Sequence, residues 1–312
     1  MPPRLGIVIP CYNEEPVLPE THRQLTILLD ELLAEQRITA DSRVYFVDDG
    51  SRDATWSQIE HFSKLDPRFG GIKLSRNCGH QRALLAGLMT AEGDVLVSLD
   101  ADLQDDPRAI KGMLDAHADG NDIVFGVRNS RDTDTAFKRL TAQGFYRLMI
   151  TMGVEVVFDH ADYRLMSRRA IENLRNYEEV NLFLRGIIPQ IGFKTAKVHY
   201  ARSERFAGES KYPLRKMLAF AADGITSFSV VPLRFISGLG LATCLLSLTM
   251  AAWVIFGALF AGQVVPGWAS TVVPMYFLGG IQLLSIGVLG EYVAKAYLET
   301  KRRPRYFIDK VL

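Results

Sequence analysis

Three short polar clusters in this 312-residue chain have the residue types to bind a charged, oxygen-rich ligand: Asn13-Glu14, Asp48-Asp49 and Asp100-Ala101-Asp102. They follow the apolar runs Leu5–Ile9, Arg43–Val47 and Val95–Leu99. Such runs read as buried parallel strands, and open α/β sheets bind ligands beyond the carboxyl ends of their strands. In Asp-x-Asp the two carboxylates reach one site, because residues i and i+2 share a strand face. Hard carboxylate oxygens so placed suit Mg²⁺ or Mn²⁺ shared with a diphosphate. Such a metal neutralises charge on a departing nucleoside diphosphate. Singly, each cluster also fits an ordinary turn, where Asp, Asn and Gly are common. Their recurrence at three strand ends is what points to a site.

The elements between them alternate. Leu25, Leu28, Leu29, Leu32 and Leu33 recur at helical spacing, and helices are expected over Ala54–Leu65, over Gln81–Ala91 and from near Pro107. Further strands are expected at Ile72–Leu74, Ile123–Phe125 and Lys194–Tyr200. Strands alternating with helices of this length predict an α/β domain with a mainly parallel, Rossmann-like sheet.

Charge divides the chain. The 36 basic and 35 acidic residues nearly balance, which argues against nucleic acid as a partner. From Phe235 to Gly290, however, there is no Asp, Glu, Lys, Arg or His. A bilayer core needs only about 20 helical residues. The stretch is therefore read as two spanning helices, roughly Leu233–Ala261 and Ser270–Leu298, broken at Gly262–Gly267. Trp253 and Trp268 suit positions at or near the interface. Arg215, Lys216 and Arg234 precede this hairpin, and Lys301, Arg302, Arg303 and Arg305 follow it. The positive-inside rule puts both ends in the cytoplasm, giving a multi-pass protein of the inner (plasma) membrane. No apolar segment of signal-peptide length opens the sequence, consistent with a cytoplasmic N-terminal domain. Cys11, Cys78 and Cys244 lack metal-ligand spacing and read as reduced thiols. The boundaries follow: a catalytic domain over 1–212, amphipathic juxtamembrane helices over 213–232, the hairpin over 233–299 and a cytoplasmic tail over 300–312.

The stretches around the polar clusters are more specific than the clusters themselves. Val8-Ile9-Pro10-Cys11-Tyr12-Asn13-Glu14-Glu15, Val47-Asp48-Asp49-Gly50-Ser51-Arg52-Asp53 and Asp100-Ala101-Asp102-Leu103-Gln104-Asp105-Asp106-Pro107 occur in that order. With Asn77-Cys78-Gly79-His80-Gln81-Arg82-Ala83-Leu84, they resemble the family 2 glycosyltransferases, which have the GT-A fold. Asp162-Tyr163-Arg164-Leu165-Met166-Ser167, Gly208-Glu209-Ser210-Lys211-Tyr212 and the two-helix segment narrow the resemblance to the polyprenyl-phosphate glycosyltransferases.

That resemblance implies roles for individual residues. Pro10, Tyr12, Glu14 and Asp48 would hold the nucleoside, with Lys211 at the donor phosphates. Asp100, Asp102 and Gln104 would form the site for Mg²⁺ or Mn²⁺ and the diphosphate. Arg128 and Arg139 would bind the acceptor phosphate, since guanidinium groups grip phosphate oxygens bidentately. Family members often carry Ser four residues after the second of these arginines. Here Gln143 stands there, and its amide can still donate. Asp162 would act near the sugar, as base or positioning group, and Arg202, Arg205 and Ser210 would belong to a closing loop. His80 and His160 are read as structural. The implied partners are a nucleotide sugar, a polyprenyl phosphate, the membrane and further copies of the chain.

Two rival readings remain at this level. A processive polysaccharide synthase would carry Gln-x-x-Arg-Trp, but Trp56, Trp253 and Trp268 follow Thr55, Ala252 and Gly267. A non-catalytic nucleotide-binding scaffold would be expected to have lost the acidic cluster, and here it is intact.

Overall fold

A computed structural model of the protein describes residues 1–128, 160–201, 226, 229–260 and 268–312. The chain divides into two compact units, and residues 302–312 belong to the first.

The first unit opens with β1 (Leu5–Cys11), α1 (Leu18–Ala34), β2 (Arg43–Asp48), α2 (Thr55–Leu65), β3 (Phe69–Leu74), α3 (His80–Thr90) and β4 (Val95–Ser98). It continues with α4 (Ala109–Ala118), β5 (Ile123–Arg128), β6 (His160–Ser167), α5 (Arg168–Leu174), α6 (Leu184–Gln190) and β7 (Thr195–Tyr200). After two long helices of the second unit, β8 (Ile308–Val311) completes an eight-stranded sheet in the order β7-β5-β6-β4-β1-β2-β3-β8. β3, β2, β1 and β4 run parallel, while β6 is antiparallel to both its neighbours and β8 to β3. This is the mainly parallel α/β sheet of the GT-A fold.

The apolar runs become strands because both sheet faces are covered. All seven residues of β1 are buried. On one face, Leu25, Leu28, Leu29 and Leu32 of α1 pack with Ile7, Ile9, Phe46 and Phe69. On the other, α3 approaches closely at Gly87. A Cβ there would lie 2.3 Å from Val8 Cγ1 and 2.7 Å from Val47 Cγ2. Gly87→Ala is therefore expected to destabilise the protein by about 1–3 kcal/mol, as overpacking does, and a melting curve checks it.

Two strands escape the sequence reading. β6 carries Asp162 and Arg164 on one face, and this pair of charges hides an otherwise apolar alternation. β8 lies in what reads as a tail, and all four of its residues are exposed. Its place in the sheet comes from backbone pairing with β3, which leaves little hydrophobic pattern.

The second unit contains α7 (Val231–Phe260) and α8 (Trp268–Thr300). Within them, Val231–Met250 and Phe277–Thr300 are long and apolar enough to cross a membrane, and neither window is buried by the chain itself. Trp253 and Leu284 are each 70% exposed, which suits a face made for an apolar surrounding. Most of residues 213–228 lie outside the described set.

Candidate active site

The parallel order β3-β2-β1-β4 makes β1 and β4 neighbours from which the chain departs in opposite directions. The loops after β1, β2, β3 and β4 thus gather at one edge, at the topological switch point. They are tied together there. The Asp49 amide donates to the Cys11 carbonyl at 2.9 Å, and the Asn13 amide to Ser51 Oγ at 3.0 Å. The Arg52 amide returns to Asn13 Oδ1 at 2.9 Å, and the Glu14 amide reaches Thr55 Oγ1 at 2.9 Å. Asn13 adopts a left-handed φ of 55°, which short polar side chains tolerate better than most.

Asp49 extends the tie to the third loop. Its carboxylate is 3% exposed and accepts from the amides of Cys78 and Gly79 at 2.6 and 2.8 Å. Gly50 has a φ of +67°, and a Cβ there would lie 2.6 Å from the Asn77 nitrogen and 2.7 Å from the Arg76 carbonyl carbon. Only glycine fits both constraints. Gly50→Ala is expected to displace the Arg76–Gly79 loop, cost about 1–3 kcal/mol and weaken nucleotide binding, measurable by calorimetry.

Of the residues expected to hold the nucleoside, Pro10 is buried in β1 beside β2, and Tyr12 is exposed. The Asp48 side chain is wholly buried: Oδ1 accepts from the Ser51 amide at 3.1 Å, while Oδ2 finds no hydrogen-bond partner among the described residues. An unsatisfied buried oxygen costs about 1–3 kcal/mol.

Asp100 and Asp102 follow β4. Leu103 turns the chain with a φ of 55°, a costly conformation for a non-glycine residue. The Gln104 amide then donates to Asp102 Oδ1 at 3.2 Å. Burial pushes the Asp100 carboxyl up to about 6; Asp162, Asp105 and Asp102 add to this and His80 opposes it. Among the described residues, no three or more His, Cys, Asp or Glu are arranged as a ready-made metal site. Two carboxylates and an amide oxygen are nonetheless hard donors suited to Mg²⁺ or Mn²⁺, and clustered negative charge favours a cation. The set fits the ion. Because Asp100 holds its proton more tightly than a free Asp does, protons compete with the ion as pH falls. Mn²⁺ affinity is expected to drop steeply below about pH 6 and to level off above about pH 7. Titration followed by electron paramagnetic resonance checks this.

Asp162 stands across from Asp100. β6 pairs Arg164 with Ser98, so Asp162, two residues earlier, lies beyond the end of β4. His80 connects the two acids: its Nε2 is 3.6 Å from Asp100 Oδ1 and 3.5 Å from Asp162 Oδ2. The Asp162 carboxylate also accepts from Arg185 Nε and Nη2 at 3.3 and 3.1 Å, from Gln81 Nε2 at 3.1 Å and from Arg164 in a close ion pair. Burial alone would raise its pKa; Arg185, His80 and Arg164 outweigh burial and hold it well below the usual carboxylate range. A carboxylate so saturated with donors is a poor general base, which weighs against that role and leaves positioning.

His80, read as structural from the sequence, begins α3 and stands between two site carboxylates. Arg128, expected as a phosphate-binding cation, is already compensated: Nε and Nη2 reach Asp105 Oδ1 at 3.0 and 2.9 Å, and Tyr200 donates to the same oxygen at 2.6 Å. Arg139, Gln143, Arg202, Arg205, Ser210 and Lys211 lie outside the described residues. Asp49, part of the expected Asp48-Asp49 cluster, ties two loops together, while Gln81, Arg164 and Arg185 join the site with no role assigned from the sequence. The stretch around His80 and Gln81 carried a signal, whereas Arg185 sits in a short helix with none.

The chain is similar to proteins of one enzyme family. The profile of Glycosyl transferase family 2 matches residues 6–175. The chain is 52% identical over 309 residues to the "Uncharacterized glycosyltransferase YkoT" of Bacillus subtilis (strain 168), covering 98% of this chain and 91% of that one. It is 38% identical over 309 residues to the "Prophage bactoprenol glucosyl transferase homolog" of Escherichia coli (strain K12), covering 99% of each. Among solved structures, a mannosyltransferase of Pyrobaculum calidifontis in complex with GDP-Man and Mn²⁺ matches at 19% identity and a TM-score of 0.48, over 96% of this chain and 85% of that one. With the motifs at the switch point and the family profile running from β1 through α5, the chain belongs to glycosyltransferase family 2.

Proposed function

We propose that the protein moves a sugar from a nucleotide sugar, UDP-linked, onto the phosphate of a polyprenyl lipid, with undecaprenyl phosphate as the bacterial acceptor. The observation that carries this is the 38% identity over 99% of both chains to the bactoprenol glucosyl transferase homolog. That match takes in the two apolar helices as well as the catalytic sheet. A lipid-borne acceptor explains why both belong to one chain. The basic residues flanking the uncharged stretch support spanning with the catalytic unit on the cytoplasmic side. The lipid-linked sugar would then serve modification of envelope glycans.

In this reading Pro10, Tyr12, Glu14, Asp48 and Lys211 bind the nucleotide sugar, while Arg202, Arg205 and Ser210 close over it. Asp100, Asp102 and Gln104 would hold Mg²⁺ or Mn²⁺, which when bound would neutralise charge on the departing diphosphate. Arg139 and Gln143 are the candidates for the acceptor phosphate. A phosphate is ionised at neutral pH and attacks the anomeric carbon without a strong base, so positioning carries most of the rate. The donor-saturated Asp162 agrees with that.

Direct attack inverts the anomeric carbon. Purified protein given UDP-glucose, Mn²⁺ and undecaprenyl phosphate is expected to yield a lipid-linked sugar of inverted configuration by NMR. Retained configuration would exclude a single displacement.

A further inference from the structure

After α8 ends at Thr300, the last residues of the chain touch two segments that hold the acidic site. Arg305 donates through Nη1 to the Tyr177 carbonyl at 2.7 Å. The Phe307 carbonyl accepts from the Ser75 amide at 3.0 Å. β8 then runs along β3, with Leu74 opposite Ile308 and Ile72 opposite Val311. The Leu312 amide closes the pairing on the Gly71 carbonyl at 2.8 Å, and its side chain packs on the core.

Both contacted segments lead to Asp162. Without β8, β3 would be an edge strand with a row of unpaired backbone groups. Its last residue runs straight into Ser75–Gly79, the loop whose amides hold Asp49 and whose Asn77 abuts Gly50. Next along the chain come His80 and Gln81. Tyr177 belongs to the segment before α6, which α3 pins through Arg82 Nη2 to the Val180 carbonyl at 3.2 Å and the Leu184 amide to Gln81 Oε1 at 3.1 Å. Arg185, the next residue, reaches Asp162. One stretch of eight residues therefore braces the two segments that meet at Asp162.

We propose that residues 305–312 form a strap that positions the Ser75–Gly79 loop and the Asp162 cluster for nucleotide-sugar binding, with Arg305 and the β8 backbone as positioning groups. The proposal rests on reading that loop as part of the donor site. The strap touches no reacting atom. Backbone hydrogen bonds, each worth about 0.5–1.5 kcal/mol net, hold it to β3, and the Lys310 ammonium at 2.7 Å from Glu60 Oε1 and the packed Leu312 side chain add to them.

The test compares full-length protein with a variant lacking residues 305–312 and with Arg305→Ala and Arg305→Lys. Amide hydrogen exchange over Ser75–Gly79, UDP affinity in Mn²⁺, and KM and kcat for UDP-glucose are measured. Deletion is expected to speed exchange in that loop and to raise KM and the UDP dissociation constant about tenfold, with kcat changed by less than about threefold. Arg305→Ala should do the same to a smaller degree, and Arg305→Lys should restore part of the loss. Unchanged loop exchange and UDP affinity after deletion, or a fall in kcat at constant KM, would overturn the strap. Should the deletion not fold, Arg305→Ala decides by the same readouts. If the intact protein turns over no UDP-glucose, the proposed donor fails, while exchange and UDP binding still judge the strap.

Discussion

Asp102→Ala is expected to lower sugar transfer on the order of 10³-fold, the scale seen when a charge-stabilising group is removed from an active site, without unfolding the protein. Asp102 follows β4 at the switch point, beside an Asp100 whose carboxyl is already pushed up to about 6 by burial and neighbouring acids. Removing one carboxylate relieves that repulsion, so the metal-free variant should melt no lower than the parent. Mn²⁺ is expected to raise the melting temperature of the parent, as an ion that binds the folded state does, and the variant should lose that rise. Activity and metal response thus fall together while the fold stands. An Asp102→Ala protein that still responds to Mn²⁺ would mean the ion binds elsewhere.

Asp162→Ala should behave in the opposite way, losing stability as well as activity. Arg164 is 1% exposed; it donates through Nη2 to Asp162, while its Nε and Nη1 find no partner among the described residues. Taking away the carboxylate leaves a buried guanidinium unpaired, which typically costs about 3–5 kcal/mol. It also releases Arg185 and Gln81, which tie α6 and α3 to β6. Arg185→Ala should cost less, since Arg185 is about 30% exposed in side chain and Arg164 keeps its partner. The pH dependence has a definite sign. The folded-state pKa of Asp162 is depressed, so its stabilisation is fully present above the usual carboxylate range and is lost as pH falls through the lower, folded-state value. The gap in melting temperature between parent and Asp162→Ala should accordingly narrow in acid. A constant gap would mean that packing, and not the ion pair, carries the stability.

These two acids differ in how far the sequence reveals them. Asp100 and Asp102 are legible because they end an apolar strand, and strand ends at a switch point are where ligands bind. The alternation of strands and helices likewise gives the parallel sheet, with boundaries within a few residues. The Asp162 hub is not legible in that way. Its partners come from β6, α3 and α6: Gln81 and Arg164 lie in motif stretches that suggest no role for either, and Arg185 carries no local pattern that distinguishes it from a surface polar residue. His80 is read as structural from the sequence, and only the register of β6 against β4 brings Asp162 close enough to share it with Asp100. For Arg128 the resemblance implies a phosphate contact, and the sequence does not reveal that Asp105, buried beneath it, pairs with it. β8 is invisible because a four-residue edge strand held by backbone hydrogen bonds needs no hydrophobic alternation.

The central claim is that the acceptor is a lipid phosphate, and acceptor dependence tests it most directly. Purified full-length protein with labelled UDP-glucose and Mn²⁺ is offered either undecaprenyl phosphate or a panel of soluble phosphates and glycans. The account predicts label in the lipid fraction with undecaprenyl phosphate alone, and its disappearance in Asp102→Ala. Transfer to a soluble acceptor at an equal or higher rate, or nucleotide binding with no turnover on undecaprenyl phosphate across a panel of nucleotide sugars, would contradict it.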